Sequence, residues 1–394
     1  MTTRRTEDSG LRTESRPTSQ SPVLSPQSSS QSSVLSPQSS FDVAIVGAGP
    51  AGSTLAALLA RRGASVALID RDRFPRDKLC GEFLSYDALP LLERLGIDLG
   101  VTPKIERCRV VGRHRTYEFE FPHSARGVSR FLLDDLLLRN ARATGAQTLE
   151  GCTAISVSPD SVVTEAWGRW GRFDQQLQRS FVRDHSHRNF GFKRHYRGVP
   201  PRGIDPTIEL YSFDRGYLGV AGVENGITNI CGLVHESRLA GHKGRWDSFV
   251  DEIRRDEPQL EQMYSQYEPA QDTFLSSEPV IFRARSAVEQ GIFMIGDASG
   301  IVDPLTGSGM AMAIQSALLA APYILDQEVE AYRQRHEEFF ASRIRWSRGV
   351  AFLLSRPALL DIALTAHSLG GYLLRRTRAG RDEVERLADI EFRR

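Results

Sequence analysis

The sequence predicts an α/β protein: a parallel, Rossmann-like sheet with an antiparallel sheet inserted into it, followed by C-terminal helices. Three observations lead to this prediction. Residues 41–70 contain a strand, a glycine-rich turn, a helix and a second strand, and residues 291–325 contain another strand, glycine-rich loop and helix. Between them, short stretches alternate apolar and polar residues and are separated by glycine, a pattern typical of antiparallel sheet.

The first unit reads FDVAIVGAGPAGSTLAALLARRGASVALID. Its apolar run Val43–Val46 is short and β-branched, as expected of a buried parallel strand. Gly47 permits the tight turn, Gly49 lets the backbone approach a pyrophosphate, and Gly52 lets the helix pack on the strand. A glycine-rich turn without a ligand is the alternative, but the completeness of the unit favours a nucleotide-linked redox cofactor.

The rest of this unit supplies further candidate contacts. Residues 65–69 predict the second strand, and Asp70 at its end can accept hydrogen bonds from ribose hydroxyls. Pro50 and Ala51 begin the helix, whose N-terminal N–H groups and positive dipole end face the phosphates. We predict that these residues and Arg71 bind the cofactor.

Composition limits the classes of function. The 394 residues suffice for two domains, and 50 Lys+Arg against 49 Asp+Glu give no field that would attract nucleic acid. The cysteines lie apart with no CxxC pair, which argues against a disulfide framework or zinc site and favours a reducing cytoplasm. These cysteines are Cys80, Cys108, Cys152 and Cys231.

The first 40 residues have a different composition. Ser, Gln, Pro and Thr dominate, and VLSPQSS occurs at 23–29 and again at 34–40, so we predict a disordered tail. A regulatory docking segment and a dispensable leader are the two interpretations of it. No apolar stretch is long enough to span a bilayer, which predicts a soluble protein or one peripheral to a membrane.

The second unit, GIFMIGDASGIVDPLTGSG at 291–309, also points to a cofactor. Residues 292–295 predict a buried strand, and a helix over about 310–325 would present unpaired N–H groups at its N-terminus. Such donors suit an isoalloxazine, which becomes anionic at N1 and C2=O when it is reduced. The predicted contacts are Gly296, Asp297, Pro304, Gly307, Ser308 and Gly309.

Together, GAGPAG and GDASGIVDPLTGSG resemble the FAD-dependent oxidoreductases of the p-hydroxybenzoate hydroxylase fold. The segment RFPRDKLCGEFLS at 73–85 is similar to the geranylgeranyl reductase-like branch, whose K-x-C-G stretch beside the flavin corresponds to Lys78, Cys80 and Gly81. The resemblance implies FAD as cofactor and NAD(P)H as a transient electron donor without a Rossmann domain of its own. It also implies that Arg130, at the start of the helix in 128–147, lies beside the flavin; an ordinary helix N-terminal residue is the alternative.

The chain departs from the family pattern in two ways. Trp167, in VVTEAWG, stands where family members often have an Asp before the glycine. The aromatic stretch typical of archaeal prenyl reductases is replaced by FDRGYLGVAGVENG at 213–226. The WxWxIP box of flavin halogenases is also absent, which argues against halogenation.

These elements define four regions. Residues 1–40 form the tail; 41–105, 128–168 and 280–327 form the FAD-binding domain; 106–127 and 169–279 form the substrate-domain sheet; 328–394 form a C-terminal helical region. Arginines 375, 376 and 378 and the leucines near 353–364 could contact a lipid surface, while packing against the flavin domain is the alternative.

Cys80 is the candidate proton donor. Above the flavin, its thiol could protonate a substrate carbon while the reduced flavin N5 delivers a hydride; a small buried residue under the cofactor is the alternative. Glu82 is the second candidate, since strand alternation would place it on the same face.

Other titratable residues are less informative. Lys193 and His195, in the predicted strand GFKRHYR, would share a face, either towards the pocket or towards solvent. His185 and His187 have H-x-H spacing without nearby ligands, so we predict a polar loop and no metal site.

Three functions fit these residues. The first is reduction of a carbon–carbon double bond in a hydrophobic small molecule, in an isoprenoid for example. The second is monooxygenation through a flavin C4a-hydroperoxide, and the third is flavin binding without turnover. The sequence does not show whether the pocket protects a peroxide from water, which separates the first two.

Overall fold

The computed structural model describes residues 41–154, 163–165, 172–179, 188–198, 206–242, 244–277, 279–280, 285–365, 372 and 376–392. All of them belong to the structural unit Val34–Arg394. The predicted tail, Trp167 and the histidines at 185 and 187 lie outside the described residues.

The strands are β1 (Val43–Val46), β2 (Val66–Asp70), β3 (Phe83–Leu84), β4 (Lys104–Val111), β5 (Thr116–Gly127), β6 (Gln147–Glu150), β7 (Val163–Glu165), β8 (Asn189–Arg197), β9 (Thr207–Phe213), β10 (Gly216–Val223), β11 (Ile227–His235), β12 (Glu268–Pro269), β13 (Leu275–Ser276), β14 (Val288–Glu289) and β15 (Ile292–Met294). The helices are α1 (Pro50–Arg61), α2 (Leu89–Leu95), α3 (Arg130–Ala143), α4 (Arg172–Gln176), α5 (Glu236–Leu239), α6 (Trp246–Asp256), α7 (Pro258–Tyr264), α8 (Gly309–Ile324), α9 (Val329–Leu354), α10 (Pro357–Ala363) and α11 (Arg381–Phe392).

The nucleotide-binding sheet has the order β14-β15-β7-β1-β2-β6. Its strands pair in parallel except β14 with β15, as expected when helices connect them. The two units predicted from sequence are neighbours here, because β7 alone separates β1 from β15. Helix α1 packs between α8 and α3 over a core that includes Ile45, Leu55 and Leu59.

The second sheet has the order β12-β8-β11-β10-β9-β4-β5-β3, with β13 also paired to β8. We predicted an antiparallel sheet, but it is mixed because β4 and β9 pair in parallel. This sheet also reaches beyond the predicted bounds: β4 begins at Lys104, and Phe83–Leu84 pair with the end of β5.

The two faces of this sheet meet different surroundings. Helices α6 and α7 cover one face through Phe249, Ile253 and Met263. The opposite face, called here the inner face, carries an apolar cluster with side chains from α9 and α10. In the same register, His195 lies opposite Asn229 and Lys193 opposite Cys231, so polar residues continue this face along β8 and β11.

The C-terminal helices pack largely against the rest of the protein. Arg378 was a candidate for contact with lipid headgroups, but it is buried and donates hydrogen bonds to Ser85 Oγ (2.8 Å) and the Thr306 carbonyl (2.7 Å). Among the described residues, no helix is both long and apolar enough to cross a membrane.

Candidate functional site

The turn between β1 and α1 has the geometry of an anion site. Gly47 adopts φ 104°, which a side chain would disfavour, and Gly49 caps α1 without any side-chain hydrogen bond. Pro50 occupies the first helical position, and the next N–H groups have no intrahelical acceptor. A Cβ added at Gly49 would lie 3.6 Å from Nη2 of Arg130, so a guanidinium stands beside these N–H groups.

Asp70 lies at the edge of the same turn. Its Oδ2 accepts a hydrogen bond from the Ala48 N–H (2.7 Å) and its Oδ1 accepts one from the Asp72 N–H (2.9 Å). Each carboxylate oxygen has further acceptor capacity, as contact with ribose hydroxyls requires. Arg71, another predicted contact, has a side chain that is 79% exposed, and its Nε lies 3.6 Å from Oδ1 of Asp72.

Positive charge is concentrated next to this turn. Arg130 donates two hydrogen bonds to Asp134 (2.7 and 2.8 Å), and Arg76, which sequence analysis missed, lies 3.5 Å from the same carboxylate. Burial opposes the charge of Arg130, but Asp134 and Cys80 outweigh it and raise its pKa. Burial, together with Arg76 and Arg130, lowers the pKa of Lys78 to about 8. A pyrophosphate would relieve this repulsion.

The second predicted segment meets the first. Gly296 adopts φ 59°, and a Cβ added there would lie 2.9 Å from Cβ of Ala51 at the start of α1. Its N–H donates to Ser316 Oγ in α8 (2.8 Å). Asp297 follows, half-buried, next to this contact. The end of β15 and the beginning of α1 are therefore in van der Waals contact, as the prediction of one shared cofactor requires.

The loop before α8 packs against β3. Pro304 opens a short turn, and Gly307 adopts φ 64° with its Cα facing the ring of Phe83; an added Cβ would lie 2.4 Å from Cδ1 of that ring. The buried Ser308 hydroxyl donates to the Thr377 carbonyl (3.2 Å), so its side chain does not cap α8. The first N–H groups of α8, from Gly309 onwards, thus remain available as donors.

Cys80 lies in the loop that precedes β3, called here the cofactor loop (residues 77–82). It is half-buried, and its Sγ accepts a hydrogen bond from the Glu82 N–H (3.4 Å). A Cβ added at Gly81 would meet nothing within 4 Å, so the backbone there borders open space. Lys78, Cys80 and Gly81 are thus brought to the same side of the molecule as Arg130.

The expectation for Glu82 was wrong in its geometry. Glu82 precedes β3 and adopts φ 56°, so strand alternation with Cys80 does not apply. Its carboxylate is fully buried and accepts hydrogen bonds from Lys193 Nζ (2.5 Å) and the Arg130 N–H (3.0 Å), while Oε2 lies 2.7 Å from His195 Nε2. Burial alone would raise its pKa, but the bonds to His195 and Lys193 lower it. In this geometry the Glu82 carboxylate is an acceptor of hydrogen bonds.

Side chains on the inner face of the sheet therefore form hydrogen bonds to alternate residues of the cofactor loop. Lys193 Nζ donates to the Lys78 carbonyl (3.2 Å), and Asn229 Nδ2 donates to the Cys80 carbonyl (3.0 Å). Lys193 and His195 face this loop rather than solvent, which resolves the choice that the sequence left open. Sequence reasoning missed Asn229, since nothing local distinguishes it from any other strand residue.

Carboxylate and imidazole atoms of Asp77, Glu82 and His195 lie within 4.8 Å of one another, close enough to share a metal ion. The ammonium of Lys193 already lies 2.5 Å from Glu82 and 3.7 Å from Asp77. It supplies the positive charge that these carboxylates require.

Known proteins similar to this chain identify its family. A model of the FAD binding domain family matches residues 40–165, and a model of squalene epoxidase matches residues 260–363. Menaquinone reductase of Mycobacterium tuberculosis is 30% identical over 355 residues, covering 81% of this chain and 85% of that protein. Tryptophan 2-halogenase of Chondromyces crocatus is 26% identical over 365 residues, covering 78% of this chain and 67% of that protein.

Solved structures share the fold. The flavin-dependent halogenase CmlS superimposes with a TM-score of 0.70 at 21% identity, covering 89% of this chain and 70% of that one. The halogenase PltM in complex with phloroglucinol and FAD gives a TM-score of 0.67 at 16% identity, covering 89% and 86%.

The fold and the two joined glycine segments define an FAD-dependent oxidoreductase of the p-hydroxybenzoate hydroxylase type. The chain belongs to the same family of FAD-dependent oxidoreductases as mycobacterial menaquinone reductase. The residues present fit the cofactor: Asp70 suits its ribose, the α1 N-terminus and Arg130 its pyrophosphate, and the α8 N-terminus its isoalloxazine. Menaquinone reductase and the halogenases are FAD-dependent enzymes, and this chain is an FAD-dependent enzyme as well, which argues against flavin binding without turnover.

Proposed function

We propose that this enzyme reduces a carbon–carbon double bond in a hydrophobic, isoprenoid-type small molecule, as expected for the geranylgeranyl reductase-like branch. FAD, when bound, supplies the electron pair for this chemistry, and NAD(P)H is the proposed source of those electrons. The residues of the chain must then bind an apolar chain, orient one double bond at the cofactor and deliver a proton.

The inner face of the second sheet supports this proposal most directly. One part is apolar and includes Tyr217 and Leu233, next to Leu354 and Leu360 from the C-terminal helices. The other part carries Lys193, His195 and Asn229 and holds the cofactor loop. Sites for hydrophobic ligands combine apolar surroundings with a few fixed polar groups, and the inner face offers both next to the cofactor loop.

Asn229 adds a polar atom to this face. Its Nδ2 is bonded to the cofactor loop, but its buried Oδ1 has no hydrogen-bond partner among the described residues. A buried amide oxygen without a donor costs about 1–3 kcal/mol. A polar group of the substrate, such as a hydroxyl, would satisfy it.

The names of the relatives favour the same substrate class. Menaquinone carries an isoprenoid side chain and squalene is a linear isoprenoid hydrocarbon, and both names come from matches to this chain. The squalene epoxidase match over residues 260–363 also favours the second candidate, monooxygenation, because an epoxidase inserts oxygen into the double bond that a reductase saturates.

We also propose that the end of α9 and α10 contacts an anionic membrane, from which such a substrate would arrive. Phe352, Leu359 and Ile362 are exposed, Ile362 to 68%, and the cations Arg348 and Arg356 are exposed beside them. Leu360, on the opposite side of α10, packs into the apolar cluster of the inner face. One short helix would thus link a lipid surface to the inner face of the second sheet.

The deciding experiment uses the FAD-loaded protein, reduced by NADPH or by light, with menaquinone, geranylgeranyl diphosphate or squalene. Anaerobic gain of two hydrogen atoms that persists after any quinol has been reoxidised in air, read by mass spectrometry, supports the reductase. A product that forms only with oxygen and gains one oxygen atom supports the monooxygenase and contradicts the reductase. A brominated product formed with bromide and oxygen refutes both proposals. Cys80→Ala should abolish double-bond reduction if its thiol gives the proton, with Cys152→Ala as the matched control.

A further inference from the structure

Lys193 and His195, on β8, face the cofactor loop together. Lys193 is 1% and the Glu82 side chain 0% exposed, and the His195 side chain is 11% exposed. Oε1 of Glu82 accepts hydrogen bonds from Lys193 Nζ (2.5 Å) and from the Arg130 N–H (3.0 Å). Oε2 lies 2.7 Å from Nε2 of His195.

This geometry assigns the two ring nitrogens of His195 different tasks. An ionised carboxylate only accepts hydrogen bonds, so Nε2 must carry the proton that it donates to Glu82. The other nitrogen, Nδ1, makes no hydrogen bond within the described part of the chain. A carboxylate that fixes one imidazole nitrogen and leaves the other to exchange protons is the arrangement found in general acid–base catalysis.

We propose that His195, held by Glu82, is the proton donor of this enzyme, an inference that rests on the proposed reductase function. In the step, the Nδ1–H bond of the imidazolium breaks and a C–H bond forms at one carbon of the double bond. The other carbon would receive a hydride from the anionic reduced flavin, FADH−, when it is bound, so that the substrate gains two electrons and the flavin is left oxidised. The imidazole is left neutral and must take up one proton before the next turnover.

The surrounding charges fit this cycle. Glu82 accepts the Nε2–H of the ring, while Lys193 keeps Glu82 ionised so that the carboxylate does not take the proton itself. Asp77, with a side chain 42% exposed, lies 3.7 Å from Lys193 Nζ and connects the cluster to solvent. Two further cations on or beside this loop are Lys78 and Arg130, the latter held by Asp134.

This assignment differs from the two proton donors predicted from sequence. Glu82 has no proton to give while it accepts three hydrogen bonds, so it acts through His195 and is a positioning residue. Cys80 lies two residues away on the same loop, with its Sγ turned to the Glu82 N–H. A thiol donor and a histidine donor therefore make different predictions for single variants.

The first test measures His195 in the FAD-loaded enzyme without any turnover. In ¹⁵N-histidine NMR spectra, Nε2 of His195 should be the protonated nitrogen of the neutral ring, because the Glu82 carboxylate accepts a hydrogen bond from it. Glu82→Gln should increase the share of the Nδ1–H tautomer, because the carboxylate that holds the proton on Nε2 is lost. The tautomer of His235, at the far end of β11, should not change. An unchanged tautomer of His195 in Glu82→Gln would remove the positioning role of Glu82.

The second test measures turnover with the substrate that the wild-type enzyme reduces. His195→Asn should lower kcat about 100- to 10,000-fold, the usual worth of a general acid, with FAD content and NADPH-driven flavin reduction retained. His235→Asn is the matched control. Full kcat in His195→Asn together with loss in Cys80→Ala would overturn the inference and leave the reductase standing. A wild-type enzyme that reduces none of the substrates would instead reject the proposed function, and the inference with it.

Discussion

Replacing Glu82 by Gln gives the sharpest test of the buried cluster. The change keeps the size of the side chain but removes the charge that neutralises Lys193, which is 1% exposed. Breaking a buried ion pair from one side costs about 3–5 kcal/mol, because the remaining charge stays buried without compensation. We therefore expect Glu82→Gln to lower the free energy of unfolding by about 3–5 kcal/mol, a large share of the stability of a typical domain.

Urea unfolding of the FAD-loaded protein, followed by circular dichroism and flavin fluorescence, measures this loss. Glu93→Gln on the exposed side of α2 is the control and should change stability by no more than about 0.5 kcal/mol. The double variant Glu82→Gln with Lys193→Met removes both charges and should recover much of the loss. If Glu82→Gln stays within about 1 kcal/mol of wild type, or if the losses of the two single variants simply add, the ion pair of Glu82 and Lys193 does not stabilise the cofactor loop.

Three further predictions concern the cofactor segments and pH. Gly307→Ala should weaken FAD binding and stability because of its φ of 64° and the 2.4 Å approach to Phe83, whereas Gly349→Ala in α9, where an added Cβ meets nothing within 4 Å, should not. The pKa of Lys78 is lowered to about 8, so its charge is lost as pH rises through that value. FAD affinity should fall over the same pH range. Lys78→Met should bind FAD weakly and without that pH dependence. Burial lowers the pKa of His336 from 6.5 to about 4. The contribution of the neutral ring to stability is therefore complete above pH 6.5 and is lost as pH falls towards 4. In urea titrations, His336→Gln should reduce the loss of stability between pH 6.5 and 4.

The sequence alone determined the cofactor segments. The run Val43–Val46 forms the predicted strand, and the helices predicted after each glycine-rich turn begin at Pro50 and Gly309. These features are local: glycine conformations, an apolar strand and unpaired helix N–H groups follow from a few consecutive residues. The family resemblance rested on the same residues, and for that reason the identification as an FAD-dependent oxidoreductase was confirmed.

Only the tertiary structure decided how the remaining residues are used. Strand alternation places Lys193 and His195 on one face, but which face is buried depends on a loop more than 100 residues earlier in the chain. The positive φ of Glu82 breaks the alternation from which its side-chain direction was predicted. Arg378, which looks like a surface cation in sequence, is buried against Ser85 and Thr306. The role of each of these groups depends on its charged and polar partners. Those partners come from distant parts of the chain, and no local sequence pattern shows that they come together.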